Sequence, residues 1–341
     1  MNWRCLNANH PYLVFLTRKN LTNEDLAIEY ESSWNSKKIY KKTGIKSRHI
    51  ATTETTSQLA ARAAEKLFSE SGFPKEKIDF LLLCTQSPDY FLPTTACIVQ
   101  DMLGLPTSCG AFDFNLGCSG FVYGLAIAKG LIAGGMAKNV LLLTVETYTK
   151  YIHPKDKSVR TIFGDGAAAT LITHEEGDPC KIGEFLFGTD GKGASNLIVP
   201  AGAMAMPRSD ETAEERVDEQ GNVRSLNNLY MNGPEIFNFT LDIVPDTVKS
   251  LLVRAKLSMD DIDLFVFHQA NKFMLDSLRD KIGIPEEKFY LDMEDKGNTV
   301  SATIPIAMKD ALDEGRIRRG DKLMLVGFGV GYSWAGCIVE W

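Results

Sequence analysis

The chain repeats itself. Lys77-Ile78-Asp79-Phe80-Leu81-Leu82-Leu83 is echoed by Asp261-Ile262-Asp263-Leu264-Phe265-Val266-Phe267. Met102 to Pro106 (MLGLP) is echoed by Leu278 to Pro285 (LRDKIGIP), and Asn139 to Leu143 by Lys322 to Val326. The offset lies between 176 and 184 positions throughout, and echoes that agree in order and closely in spacing support one another. Buried strands look alike, so any single echo is weak; together they point to a duplicated unit. Two related α/β modules packed against each other follow, each a mixed sheet covered by helices.

Within the first module, Thr56 to Ser71 reads as a capped helix with apolar residues at Leu59, Ala63, Leu67 and Phe68. Ile78 to Thr85 is a continuous apolar run, the pattern of a strand buried on both faces. A helix is expected around Cys97 to Leu103, then a strand from Ala111 to Phe114. A sharp turn, Asn115 to Gly120, leads into a helix from Phe121 to Ala133 that is apolar nearly all round and so belongs inside. Val140 to Thr144 is the next strand. Gly164-Asp165-Gly166 lacks the lysine of a phosphate loop and reads as a turn before a strand, Ala167 to Ile172. Ala201 to Asn232 falls outside the repeat, is polar and acidic, and reads as a surface loop or mobile flap.

At 341 residues the chain suits two fused modules. A net charge of −7 argues against general nucleic-acid binding. No apolar run reaches the roughly 20 residues a membrane helix needs, and Tyr12 to Leu16 is too short for a signal peptide. The seven cysteines are an odd set without a CxxC pair. That suits a reducing compartment, hence the cytoplasm, with neither a disulfide framework nor a zinc site.

Three reactive residue types fall at strand–helix junctions, where ligands gather in such sheets. Cys118 sits between Gly117 and Ser119-Gly120 at a helix start. Glycines permit the tight turn, and a helix N-terminus stabilises a thiolate and offers N–H groups to an oxyanion. A buried structural cysteine is the alternative. His268 ends the IDLFVF strand and can donate to an oxyanion or take a proton, or be a satisfied core histidine. Asn298 donates without titrating, or is an ordinary turn residue; Ser301 reads as a helix cap. Gly327 to Trp334 is glycine-rich but leads into a strand, so it reads as a hairpin lining a cavity.

Taken together, these segments resemble beta-ketoacyl-acyl-carrier-protein synthase III, a thiolase-like condensing enzyme family. The resemblance rests on Thr43 to Ile50 (TGIKSRHI), Gly117 to Phe121 (GCSGF), Phe163 to Ala168 (FGDGAA), His268 to Asn271 (HQAN), Gly297-Asn298-Thr299 and Gly327 to Trp334. It implies an α/β thiolase-like fold of two duplicated βαβαβαββ-type halves, forming a layered α-β-α-β-α core. The halves divide as residues 1–175, with the nucleophile, and 176–341, with His268 and Asn298.

The resemblance also implies a homodimer and a two-stage reaction: Cys118 accepts an acyl group from a thioester, then a malonyl group on an acyl carrier protein decarboxylates and condenses with it. His268 and Asn298 stabilise the enolate. The first oxyanion uses the backbone N–H groups of Cys118 and Val330. No metal or cofactor is required beyond the acyl-CoA or acyl-carrier substrates. Membrane insertion and nucleic-acid binding are not expected.

By the same resemblance, the CoA-stacking tryptophan aligns at about Lys38, with Trp34 further upstream, and the nucleotide-gripping arginine near Lys150. Those departures leave a carrier-protein donor open. Val330 replaces the middle glycine of a triple glycine and lines the acyl pocket with Phe91 or Leu92. Lys272, Arg279 and Lys281 are the expected carrier-docking cations, or a solvated helix face. Met1 to Lys19 match the family poorly, leaving its first strand in question. Two other readings stand beside condensation: acyl transfer to oxygen or nitrogen, and a non-catalytic partner subunit.

Overall fold

The computed structural model describes residues 4–5, 12–30, 34–174 and 182–341. The first sheet is built from strands β1 (Tyr12–Leu16), β2 (Phe80–Cys84), β3 (Gly110–Phe114), β4 (Asn139–Glu146) and β5 (Gly166–Thr173). They lie in the order β1-β5-β4-β2-β3, and Arg4–Cys5 also pairs with β5. β1 and β4 run antiparallel to β5, whereas β2 is parallel to both β4 and β3. The residues in question near the N-terminus therefore do supply an edge strand.

The second sheet holds β6 (Ile182–Thr189), β7 (Leu264–Phe267), β8 (Lys322–Gly329) and β9 (Ser333–Glu340) in the order β6-β9-β8-β7. β9 is antiparallel to β6 and β8, and β7 is parallel to β8. A parallel bridge from Phe265 to Phe289 stands where β3 stands in the first sheet. Order and direction thus repeat strand for strand, as the sequence echoes require. The division expected at 175/176 falls outside the described residues.

Helices α1 (Thr56–Ser71) and α2 (Thr95–Leu103) cover the outer face of the first sheet. There Leu59, Ala63, Leu67, Val99 and Leu103 meet Leu81, Leu83, Leu141 and Leu143. α1 starts where the sequence places it, because Thr55 and Gln58 form a reciprocal cap, and it stops at Gly72 in the left-handed conformation (φ 65°). α4 (Gly233–Ala255) and α5 (Lys272–Ile282) cover the outer face of the second sheet through Val244, Val248, Leu251, Leu275 and Leu278.

Between the sheets lie α3 (Gly120–Ala133) and α6 (Thr303–Asp313). Phe121, Val122 and Leu125 of α3 and Ile304, Ala307 and Met308 of α6 pack with Leu82 and Leu142 on one side and Val266 and Leu325 on the other. The result is the five-layer α-β-α-β-α arrangement. Strand residues are apolar on both faces because each sheet is covered twice, and each fully buried leucine contributes about 1.5–3 kcal/mol. The starts of α3 and α6 lie side by side: a Cβ on Gly120 would come 3.7 Å from the Cβ of Ser301.

Candidate active site

β3 ends at Phe114, and the following turn delivers Cys118 to the start of α3, only 5% exposed. The backbone N–H groups of Val330 and of Cys118 itself pull the thiol's pKa down. Burial nonetheless pushes the thiol up to about 12, against the pull of those donors. Gly329, on the β8–β9 hairpin, lies so close that a Cβ there would stand 2.8 Å from Sγ. Glycine at that place lets bare backbone border the sulfur.

His268 follows β7 and is buried. Its Nδ1 lies 2.7 Å from Thr303 Oγ1, and its Nε2 lies 3.4 Å from Asn298 Nδ2. Its ring meets Phe328 edge-on, 5.6 Å between centroids. Burial pulls its pKa down to about 3, so the imidazole is neutral at pH 7.

Asn298 belongs to the second half but is pinned by the first. Its N–H donates to Ile162 O and its carbonyl accepts from Gly164 N–H, each at 2.9 Å. The amide Oδ1 accepts the Val300 N–H at 2.9 Å, leaving Nδ2 turned to His268. Val300 achieves this at φ 55°, a conformation rare for a β-branched residue. The FGDG segment is thus a positioning element. Asp165 accepts from Ala51 N–H at 2.7 Å and Thr149 N–H at 2.9 Å, and burial raises its pKa to about 6.

Two further groups escaped sequence reasoning. Glu146, buried at the end of β4, accepts from Ser87 Oγ and Ser301 Oγ at 2.9 Å each and from Gln86 N–H. Burial raises it to about 8. Thr303 stands at the start of α6 against His268. The available signal for both was one polar residue beside an apolar run.

Cys118, His268, Asn298, Phe328 and Gly329 line one cavity of about 840 Å³. The same cavity is lined by Trp34, Lys38, Lys42, Lys157, Arg224 and Asn271, and the exposed Lys38 and Lys42 mark its mouth. Their ammonium groups lie 5.1 and 4.7 Å from the Trp34 ring centroid. Lys38 and Trp34 share this wall. Asn35 caps the helix Ser36–Thr43 and brings both there.

Lys150 does not reach this cavity. It donates to the Glu54 carbonyl and lines a small separate hollow, while Lys157 occupies the main one. The polar excursion is not a plain loop either. Asp218, Gln220, Asn222 and Arg224 line the main cavity, and Arg224 pairs with buried Asp156 at 2.7 Å and Asp218 at 2.6 Å.

A second cavity, of about 810 Å³, is lined by Val330, Gln86, Asn115, Tyr148, Leu229 and Phe91 among others. Val330 thus acts on the thiol through its backbone N–H and also lines this second space. Leu92 lines neither cavity and is 83% exposed. Of the expected carrier-docking cations, Lys272 opens α5 beside Asn271 and pairs with Asp276 at 2.7 Å. Arg279 pairs with Asp280 at 3.0 Å, and Lys281 is exposed further along the helix.

Comparison with known proteins matches residues 112–191 to the family described as 3-Oxoacyl-[acyl-carrier-protein (ACP)] synthase III, and residues 252–341 to its C-terminal part. A beta-ketoacyl-[acyl-carrier-protein] synthase III of Caldanaerobacter subterraneus is 36% identical over 330 residues, 96% of this chain and 95% of that protein. A crystal structure of a 3-oxoacyl-(acyl-carrier-protein) synthase III superposes with a TM-score of 0.96 at 53% identity, covering 98% of this chain and 99% of that one. A 3-oxoacyl-(acyl-carrier protein) synthase from Burkholderia xenovorans LB400 gives 0.88 at 37% identity, covering 99% of this chain and 94% of that one.

Proposed function

This chain belongs to the 3-oxoacyl-[acyl-carrier-protein] synthase III family of condensing acyltransferases of fatty acid biosynthesis, and on that premise we propose how its own residues divide the work. Cys118 is the acyl acceptor. Its sulfur attacks the thioester carbonyl, the donor's C–S bond breaks, and the thiol proton leaves with the donor sulfur. The backbone N–H groups of Cys118 and Val330 receive the oxyanion, a reading supported by their influence on the thiol.

In the second stage a malonyl thioester of the acyl carrier protein enters the same cavity. Its bond to the carboxylate breaks, carbon dioxide leaves, and the electron pair moves onto the thioester oxygen as an enolate. His268 and Asn298 stabilise that oxygen. The enolate carbon then attacks the acyl-Cys118 carbonyl and expels the thiolate, giving a 3-oxoacyl-carrier product. No electron enters or leaves in either stage, so the scheme calls for no redox cofactor.

The observation that carries this reading is the shared cavity, where a buried sulfur, a neutral imidazole and an outward-locked amide border one space. Trp34, Lys38 and Lys42 at its mouth suit a nucleotide-bearing thioester, with stacking and charge for its phosphates. Val330 and Phe91 line the acyl space. Lys272, with Arg279 and Lys281 beyond it, faces the acidic carrier.

The edge strand β3, with half-buried Phe112 and Phe114, supports a homodimer formed across it. The cytoplasm is the proposed compartment, supported by the five free cysteines among the described residues. Among those residues no helix is long and apolar enough to cross a membrane.

Intact-protein mass spectrometry of wild type and Cys118→Ser with acyl-CoA and acyl-carrier thioesters tests the first stage. A mass gain on wild type alone is expected. Release of carbon dioxide from malonyl-carrier then tests the second. An ester or amide product with malonate ignored would replace condensation by simple acyl transfer, and acylation of neither protein would point to a non-catalytic subunit.

A further inference from the structure

A neutral imidazole carries one proton, and its position decides whether Nε2 acts as a base or as a donor. The partner of Nδ1 settles that choice. In His268 the partner is the hydroxyl of Thr303, 2.7 Å away and buried. This hydroxyl has a single hydrogen and two acceptors in reach, Nδ1 at 2.7 Å and the Val300 carbonyl at 3.0 Å. The Val300 carbonyl already accepts the backbone N–H of Thr303. Giving the hydroxyl hydrogen to Nδ1 therefore leaves neither acceptor without a donor.

The opposite side of the ring agrees. Nε2 and Asn298 Nδ2 are 3.4 Å apart, at the long limit of hydrogen-bond reach. Asn298 is held in the matching orientation because its Oδ1 is occupied by the Val300 N–H.

We infer that Thr303 is a positioning residue: its hydroxyl donates to His268 Nδ1 and so holds His268 as the Nε2–H tautomer, a second donor beside Asn298 for the enolate oxygen. The catalytic consequence rests on the condensation proposed above; the tautomer itself does not. Thr303 touches no reacting atom, and its effect passes through His268. In the first stage the oxyanion donors are backbone groups, so the acylation of Cys118 does not depend on it.

The test combines a spectroscopic and a kinetic readout on the full-length enzyme. Nitrogen-15 spectra of histidine-labelled protein, with His268 assigned by its loss in His268→Gln, are compared for wild type, Thr303→Val and Thr303→Ser. Wild type and Thr303→Ser are expected to give an unprotonated-type Nδ1 and a protonated Nε2, and Thr303→Val to lose that assignment. Carbon dioxide release should fall by about 100-fold in Thr303→Val, the loss expected when one oxyanion donor is misdirected. Acylation of Cys118 should stay near wild type, and Thr303→Ser should restore release.

A protonated Nδ1 in wild type overturns the inference. So does an equal fall in acylation and release in Thr303→Val, which marks a merely structural role. The expected spectra in a wild-type enzyme that acylates but releases no carbon dioxide would uphold the tautomer and overturn the condensation reading.

Discussion

Asn298 Nδ2 faces His268 Nε2 at 3.4 Å, and both groups are tethered from behind by one short segment, Asn298 by the Val300 N–H and His268 by the Thr303 hydroxyl. The segment also carries Ser301, which bonds to Glu146 at the end of β4. Both donors are thus aimed by a few residues that lie between the two halves of the fold.

Replacing Asn298 by Ala removes the donor proposed to act only when the enolate forms. Condensation should fall by about 10²–10³-fold, while acylation of Cys118, followed by mass spectrometry, stays near wild type. Asn298→Asp should be worse than Ala, because a carboxylate would face the enolate. Equal losses in both stages would remove Asn298 from the second-stage role.

Glu146 gives a pH-dependent stability with a definite sign. Its pKa in the folded protein is raised to about 8 from an ordinary 4.5. The folded state therefore holds a proton that the unfolded chain releases. Its contribution is fully present below pH 4.5 and is lost as pH rises through 8. Glu146→Gln, the uncharged isostere, lacks that loss. Its melting temperature relative to wild type should therefore rise from pH 5 to pH 8 and level off above. Asp165 and His268 titrate in both proteins and cancel in the difference. A pH-independent difference would mean that Glu146 does not bind the extra proton.

Trp34→Ala should raise KM for acyl-CoA by about tenfold, as loss of a 1–2 kcal/mol stacking contact requires, and leave kcat nearly unchanged. With an acyl-carrier donor, which offers no adenine to stack, KM should not move. An equal effect on both donors would count against a nucleotide site at this wall.

Val330→Gly removes the side chain that lines the second cavity and retains the backbone N–H. The acyl range, read as acylation rates over a chain-length series, should extend to longer and branched groups. Rates with short primers should stay close to wild type. An unchanged range would separate the second cavity from the acyl chain.

The duplicated architecture was legible because sheets covered on both faces need unbroken apolar strands, and Ile78 to Leu83 and Ile262 to Phe267 carry that need openly. Cys118, His268 and Asn298 were legible because each ends or begins an element at a glycine-marked or polar junction. That Trp34 joins Lys38 at the cavity was not legible, because the Asn35-capped helix Ser36–Thr43, not residue spacing, sets which side chains reach it. Lys150 was misassigned for a similar reason: its ammonium turns back to Glu54. The acidic excursion looked solvated by composition, yet Arg224 ties it to buried Asp156, a pairing between residues 68 positions apart. Glu146 and Thr303 act through partners contributed by distant strands and turns, which no local pattern displays.

α3 and α6 begin next to each other, and the anion-stabilising groups gathered there are peptide N–H groups, an amide and a neutral imidazole. Mobile ions weaken interactions between exposed charges, and groups sealed in the interior feel them far less. Ionic strength should therefore divide the catalytic cycle. Added salt should slow the encounter between the carrier and the cations of α5. Once the malonyl arm is seated, condensation on preloaded Cys118 should run at one rate from dilute buffer to molar salt.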